Sequence, residues 1–372
     1  MASRPPPELP LDLLTRPREA GTPAAAAARE AVAAYLGSLG YAVERHRFRF
    51  HPSTLWAFPL LGAGLGWLGL VLVPLLGSTT TPAWAALAVW GFGAASLTAL
   101  AFGVGAGMAP LPFGGGPRED ANLIATRTAD VRCWIVAHLD TKAQGHSMAG
   151  RLVAVWVAAA TAAVLAGLSL ARLGGPLPLP AALAGAVLGL AAGILAGRGR
   201  LAGQSPGARD NGSGVVAALT AAAAEDRALG VVITGAEEFG LVGARLLARE
   251  RPGLFAGRLM LNFDTLDETG TLYVVSHDVR GDVAAAAQVA AWAGLGIPVQ
   301  TRRLPTGILV DSLPFARAGA VALTLARLDW STLRRIHTAG DTGDGFSFET
   351  ATRVARAAVP LIDVSVGPGY VF

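Results

Sequence analysis

Four long stretches of the chain contain no charged residue. They cover residues 55–77, 83–108, 152–170 and 180–197. A helix needs about 20 consecutive apolar residues to cross a bilayer, and each stretch is close to that length. The connections within each pair are short, since residues 78–82 join the first two stretches and residues 171–179 join the last two. The sequence therefore predicts two transmembrane helical hairpins, over residues 55–108 and 151–198.

Arginines lie close to the ends of these stretches, and they are distributed unequally. The connecting segments contain only Arg172. The opposite ends carry Arg45, Arg47, Arg49, Arg118, Arg151, Arg198 and Arg200. By the positive-inside rule, this asymmetry predicts an integral membrane protein with four transmembrane helices, whose termini and whole chain outside the two hairpins lie in the cytoplasm. Four runs of this length, paired by short connections, favour membrane spans over buried helices of a soluble protein.

The composition outside these stretches argues against other classes of protein. Lys142 is the only lysine, so the chain has no lysine-rich tract of the kind that binds nucleic acid, and we expect no nucleic-acid partner. Cys133 is the only cysteine, which excludes an internal disulfide and agrees with a reducing compartment. Residues 1–23 lack the contiguous apolar core of a signal peptide, and their prolines predict a loosely ordered tail.

Outside the hairpins, helical and strand patterns alternate. Helices are predicted over residues 24–39, 215–224, 241–250, 283–292 and 348–358. Strands are predicted over residues 41–50, 122–126, 131–137, 230–234, 259–263, 271–275 and 321–325, with the second and third of these paired. Such alternation is typical of an α/β domain with a mixed, largely parallel sheet and helices on both faces. The predicted domain comprises residues 24–54, 118–150 and 199–372, and the two hairpins interrupt it.

Potential metal ligands and acids follow three of the predicted strands and occupy two loops. They are His138, Asp210, Glu237, Glu238, Asp264 and His337. Each alone would more often be a satisfied polar residue, a turn residue, a helix cap or a solvated loop residue. Their joint occurrence favours a site at the C-terminal edge of the sheet, where α/β proteins place their ligands. Two adjacent glutamates at a strand end suit two roles, because one can bind a cation while the other handles a proton.

These residues occur within motifs that have a recognisable order. The motifs are His138-Leu139-Asp140, the glycine-rich run 207–214 around Asp210, Glu237-Glu238-Phe239-Gly240, Asp264 and Ile336-His337-Thr338. In this order the chain resembles the di-zinc aminopeptidase family, which is itself similar to glutamate carboxypeptidases and glutaminyl cyclases. The resemblance covers residues 122–140 and 204–372 well and residues 24–50 weakly, and the combined motif set is specific although each motif alone is weak.

The resemblance implies a role for each residue. It makes Asp210 the carboxylate that bridges two zinc ions, and Glu237 the general base. His138 and Asp264 would complete one zinc site, while Glu238 and His337 would complete the other. Asp140 would orient the His138 imidazole. Histidine and carboxylate ligands independently suit zinc. The roles of Asp311 and Asp341 stay open, between support of the site and local packing or capping.

The resulting prediction is a membrane-embedded, zinc-dependent peptidase, most simply an aminopeptidase acting on peptide substrates. A glutaminyl cyclase-like acyltransferase with a similar metal site is one alternative. A catalytically silent receptor or scaffold of the same fold is another, although a silent site has no chemical need for all five metal ligands.

Overall fold

The computed structural model describes residues 8–107, 111–113, 115–223, 228–305 and 307–359. The chain divides into two compact units. The sheet unit comprises residues 1–50, 118–143 and 204–372, and the helical unit comprises residues 51–117 and 144–203. The helical unit is therefore built from two insertions into the chain of the sheet unit.

A single eight-stranded sheet forms the centre of the sheet unit within the described residues. Its strands are β1 Ala42–Phe50, β2 Arg118–Thr126, β3 Cys133–His138, β4 Leu229–Thr234, β5 Leu259–Leu266, β6 Thr271–Ser276, β7 Val299–Arg303 and β8 Val321–Leu328. The spatial order is β1-β2-β4-β3-β5-β8-β6-β7. Parallel pairing joins β4 to β3, β3 to β5, β5 to β8, and β6 to β7. Antiparallel pairing joins β1 to β2, β2 to β4, and β6 to β8. The predicted mixed, largely parallel sheet is confirmed.

The pairing predicted between β2 and β3 is wrong. The short connection between residues 126 and 131 suggested a hairpin, but β2 pairs with β1 and β4, and β3 lies between β4 and β5. All six residues of β3 are buried, which suits a central strand covered on both faces and not one strand of a hairpin at an edge.

Helices of the sheet unit cover both faces of the sheet. In chain order the α-helices of both units are α1 Leu11–Leu14, α2 Pro23–Ser38, α3 Ala57–Gly77, α4 Ala85–Gly105, α5 Met148–Ala171, α6 Leu179–Gly197, α7 Gly214–Ala222, α8 Val242–Glu250, α9 Val279–Ala293, α10 Ser312–Arg317, α11 Trp330–Arg335 and α12 Glu349–Ala358, of which α3 to α6 belong to the helical unit. Strand alternation sends Val231 and Ile233 toward the apolar cluster that includes α2, α7, α9 and α12. Val232 points to the other cluster, which includes α8 and α10.

The N-terminal segment differs from the loosely ordered tail expected up to residue 23. Residues 1–7 lie outside the described range, but from residue 8 onward the segment is part of the sheet unit. Helix α1 buries Leu14 completely, and the Arg18 side chain is only 1% exposed. This segment is held by contacts with residues more than 100 positions away, so no local sequence pattern predicts them.

The helical unit consists of helices that are long and apolar enough to cross a membrane. The candidate spans are Pro52–Gly77, Ala85–Gly105, Met148–Gly174 and Leu179–Gly197. Glycines allow α3 and α6 to approach closely, since a Cβ atom on Gly189 would lie 2.9 Å from the Leu65 carbonyl oxygen. Large apolar side chains face outward from the region of α4, with Trp84, Phe92 and Phe102 between 63% and 79% exposed. Such exposure suits lipid surroundings better than water.

Candidate metal centre

The candidate ligands converge at the C-terminal ends of the parallel strands. His138 is the last residue of β3, and Glu237 and Glu238 follow β4 after a two-residue turn. Asp264 lies near the end of β5, at an irregularity in the pairing with β8 between Phe263 and Leu266. The strand expected to end at residue 263 therefore continues past Asp264. Asp210 and His337 enter from the loops before α7 and after α11.

Two groups of three ligands share one residue. His138 Nε2 lies 3.2 Å from Asp210 Oδ1 and 3.8 Å from Asp264 Oδ1. His337 Nε2 lies 3.2 Å from Asp210 Oδ2 and 3.4 Å from Glu238 Oε2. Asp210 thus offers one oxygen to each group, and within each group the ligand atoms are all within 4.8 Å of one another.

These spacings fit zinc. Zinc bonds of about 2.0–2.2 Å in a tetrahedron place neighbouring ligand atoms roughly 3.3–3.6 Å apart. Three of the four measured separations lie within about 0.1 Å of that range, and the His138–Asp264 separation is slightly wider. The donor set of histidine nitrogens and carboxylate oxygens fits two zinc ions. Glu238 Oε1 is buried without a hydrogen-bond partner among the described residues, as expected of a group whose partner is a cation.

The His138 imidazole directs one ring nitrogen to the other candidate ligands. Its Nδ1–H donates to the backbone carbonyl of Asp140 at 3.1 Å. Because a carbonyl only accepts, this bond places a proton on Nδ1 and turns Nε2 toward Asp210 and Asp264. The Asp140 carboxylate is 3.9 Å from Nδ1, beyond hydrogen-bond distance. The predicted orientation of His138 by Asp140 therefore operates through the backbone carbonyl and not through the carboxylate.

The Asp140 carboxylate has another function. It accepts hydrogen bonds from the backbone N–H groups of Glu237 at 3.1 Å and Glu238 at 3.2 Å. The turn before the glutamates contains Ala236 in the left-handed region, with φ of 54°, a conformation that is unfavourable for a residue with a Cβ atom. Asp140 thus fixes the backbone that carries the two acids.

Asp341 holds the loop that carries Asp210. Its carboxylate accepts from the backbone N–H of Arg209 at 2.9 Å and of Asp210 at 3.0 Å. The Asn211 side chain ties the same loop to β5, since its Nδ2 donates to the Phe263 carbonyl at 2.9 Å. Of the two options left open by the sequence, these contacts favour support of Asp210 as the role of Asp341.

The two adjacent glutamates have opposite electrostatic surroundings. Burial raises the pKa of Glu237 well above its ordinary value, and the His138 charge only partly offsets burial and the nearby carboxylates. Burial also acts on Glu238, but the charges of His337 and Lys142 outweigh it and hold the pKa of Glu238 at about 2. Glu238 is therefore the ionised acid of the pair, and Glu237 is the acid with raised proton affinity.

Lys142 is a member of the site that the sequence analysis did not identify. The side chain is 3% exposed, and its Nζ lies 2.6 Å from Glu238 Oε2. One feature of the sequence could have identified it. The chain otherwise uses arginine, and its single lysine lies two residues after Asp140.

Asp311 is also part of the buried polar region. Its carboxylate accepts a hydrogen bond from the Thr234 hydroxyl at the end of β4, and its other oxygen has no partner among the described residues. Burial, which the His138 charge only partly offsets, raises the pKa of Asp311 to about 6. The packing function that the sequence left open belongs instead to Phe315, which lies in the apolar cluster beside α8.

Comparison with known proteins identifies a family and several solved structures that this chain is similar to. A family model, Peptidase family M28, matches residues 196–362. No curated protein matches the chain at a significant level. The BSAP zinc aminopeptidase from Bacillus subtilis is similar with a TM-score of 0.55 and 16% identity over 98% of both chains. The glutaminyl cyclase from Fimbriiglobus ruber is similar with a TM-score of 0.53 and 14% identity, and the match covers 97% of this chain and 99% of the cyclase chain.

A third structure is similar over a shorter part. The Legionella pneumophila LapA aminopeptidase gives a TM-score of 0.43 and 18% identity, and the match covers 66% of this chain and 56% of LapA. At these identities, the Bacillus and Fimbriiglobus structures establish a shared fold. The M28 match spans four of the five candidate metal ligands, all except His138. Residues 196–362 therefore match peptidase family M28, and this match together with the shared fold supports a zinc metallopeptidase.

Proposed function

We propose that this protein is a membrane-bound aminopeptidase whose two zinc ions are bridged by Asp210. One observation carries the proposal: the two Asp210 oxygens each lie 3.2 Å from a different imidazole, His138 on one side and His337 on the other. A carboxylate in that position can serve two cations at once. Asp264 completes the ligand group on the His138 side, and Glu238 completes the group on the His337 side.

Bound zinc in such a site polarises the scissile carbonyl and lowers the pKa of a water molecule. The protein contributes the proton transfers. Glu237 belongs to neither ligand group, and its raised pKa suits an acid that takes a proton from water and passes it to the leaving amine. The Asp140 carboxylate fixes the Glu237 backbone and so limits the positions that this side chain can take.

Acyl transfer of the glutaminyl cyclase kind is a second candidate. The similarity to the Fimbriiglobus enzyme favours it, since its TM-score is close to that of the Bacillus aminopeptidase. Both reactions begin at a peptide N-terminus, but only hydrolysis consumes water. A silent receptor or scaffold is disfavoured because both ligand groups are complete and largely buried.

A single assay panel separates these functions. Full-length protein, purified in detergent, is incubated with aminoacyl anilides and, separately, with peptides that begin with glutamine. Release of aniline with loss of activity on chelation is the expected result. Cyclisation of the glutamine peptides without anilide hydrolysis would support the acyltransferase instead. Absence of both activities in zinc-loaded protein would support the silent scaffold.

The membrane part of the proposal rests on the four apolar helices and on the arginines that flank them. We propose that the helices span the bilayer and that the sheet unit lies in the cytoplasm. An enzyme tethered to a bilayer would favour short peptides or the exposed N-termini of membrane proteins as substrates.

Cysteine labelling of intact cells tests this orientation. Cys133 is buried and is replaced by alanine to remove any background. Exposed Thr80, between α3 and α4, and exposed Ala202, after α6, are each changed to cysteine in separate variants. Only the Thr80→Cys variant should react with an impermeant thiol reagent. Reaction of the Ala202→Cys variant alone would reverse the proposed orientation.

A further inference from the structure

The N-terminal segment is joined to the metal centre through one buried arginine. The Arg18 guanidinium donates to five backbone carbonyls at 2.7–3.0 Å. These carbonyls belong to Leu14, Arg16, Leu139, Pro206 and Gly207. A guanidinium carries its N–H groups in a planar fork, and all three nitrogens of Arg18 donate here.

Three of these carbonyls lie in the two loops that carry metal ligands. Leu139, bonded at 2.7 Å, is the residue between His138 and Asp140. Pro206 and Gly207, both bonded at 2.8 Å, begin the loop that leads to Asp210. Arg18 therefore connects the segment that supplies one zinc ligand to the segment that supplies the bridging ligand.

The backbone of the N-terminal segment strengthens this connection. The Arg18 N–H donates to the Thr141 hydroxyl at 3.0 Å, and the Thr141 N–H donates to the Arg18 carbonyl at 3.3 Å. A Cβ atom on Gly212, at the end of the Asp210 loop, would lie 2.4 Å from the Leu14 carbonyl oxygen. The N-terminal segment is thus fitted closely against both ligand-bearing loops.

The charge of Arg18 also has a function at this position. Burial lowers its pKa to about 10, while Asp341, Asp140 and Asp210 favour the charged form. The guanidinium is therefore positive at neutral pH, beside carboxylates that would otherwise repel one another. Lysine could supply the charge but not the same fork of directed hydrogen bonds.

We propose that Arg18 is a positioning residue of the metal centre, which holds the His138 and Asp210 loops at the separation that zinc binding requires. This inference rests on the proposed two-zinc site. It assigns part of the site to a segment that contributes no ligand.

Zinc affinity of the full-length protein in detergent tests this role. Metal-free protein is titrated with zinc in competition with a chromophoric chelator, and its thermal unfolding is measured in parallel. Arg18→Lys keeps the charge and loses the fork, whereas Arg18→Met loses both. We expect zinc binding to weaken roughly 10- to 100-fold in Arg18→Lys, as for other groups that orient metal ligands, and further in Arg18→Met.

Arg258 provides a matched control. Its guanidinium also donates to three backbone carbonyls, those of Val131, Gly253 and Leu254, but near the opposite ends of β3 and β5. Arg258→Met should lower the unfolding temperature and leave zinc affinity close to that of wild type. If Arg18→Met does not fold, Arg18→Lys alone decides the question.

The outcomes separate this inference from the proposed function. Wild-type zinc affinity in Arg18→Lys, or an equal loss in Arg258→Met, would show that Arg18 acts only on stability and would overturn the inference. Failure of the wild-type protein to bind zinc would instead overturn the proposed two-zinc function, and the role of Arg18 with it.

Discussion

The sheet unit and the helical unit use buried polar groups in opposite ways. The sheet unit concentrates them at one edge of the sheet, where Asp140 and Asp341 each bond the backbone of a residue in the proposed site. The helical unit buries Arg172, whose guanidinium bonds the carbonyls of Leu75, Ser78 and Thr81 at the end of α3 and in the turn that follows. In one unit these carboxylates hold the backbone of the proposed site, and in the other Arg172 binds carbonyls at a helix end.

The difference indicates how two apolar insertions can interrupt the chain of the sheet unit without dispersing its polar groups. The chain leaves the sheet unit after residue 50 and after residue 143, and it returns at residues 118 and 204. The second departure follows Lys142 by one residue, and the second return comes just before the Asp210 loop, yet the candidate ligands still form both groups. Substitutions in the two units should therefore affect different properties.

The largest effect is expected for Glu237→Gln. The amide cannot accept a proton from water, so we expect turnover to fall about 10²–10⁴-fold. Zinc content should stay at the wild-type value because Glu237 lies outside both ligand groups. Steady-state kinetics with elemental analysis of the same sample tests this, and loss of zinc in the variant would show that Glu237 is a ligand.

The next largest effect is expected for Lys142→Met, and it is mainly a loss of stability. Removing the ammonium leaves the buried Glu238 carboxylate with His337 as its remaining charged partner, and breaking a buried ion pair typically costs about 3–5 kcal/mol. Zinc would supply a new positive charge beside that carboxylate, so the zinc-induced rise in unfolding temperature should be larger than in wild type. Thermal unfolding with and without zinc measures both effects. An unchanged stability of the metal-free variant would contradict the pairing of Lys142 with Glu238.

Gly189→Val should have a smaller effect and should be confined to the helical unit. The added side chain would meet the Leu65 carbonyl at the α3–α6 contact, and overpacking of this kind costs about 1–3 kcal/mol. Gly167→Val in α5 is the control, because no described atom outside its chain neighbours and its own helix backbone lies within 4 Å of its Cβ position. Unfolding temperature should fall only in the Gly189 variant, and zinc affinity should be unchanged in both. A weakened zinc affinity in Gly189→Val would contradict the separation of the two units.

The sequence was sufficient to predict the position of those site residues that follow apolar runs. His138, Glu238 and Asp264 lie at, just after or near the end of a buried strand, so their convergence at one sheet edge could be predicted from strand direction alone. The long apolar helices were equally visible, because an uncharged run of bilayer length is rare in a soluble domain.

The rest depended on contacts that have no local pattern. Arg18 bonds carbonyls 121 and 189 positions away, and a four-residue helix before it produces no detectable period. The roles of Asp140 and Asp341 depend on backbone N–H groups, which the sequence does not distinguish. The predicted pairing of β2 with β3 was wrong for the same reason. The neighbours of a strand in the sheet depend on the burial of both its faces and not on distance along the chain.

The central claim is that Asp210 bridges two zinc ions, and zinc stoichiometry tests it most directly. Wild-type protein and Asp210→Asn are purified in detergent, equilibrated with equal free zinc and analysed for zinc per chain. We predict two zinc ions in the wild type and loss of affinity at both positions in the variant, because one carboxylate serves both ions. Two tightly bound zinc ions and normal activity in Asp210→Asn would contradict the account.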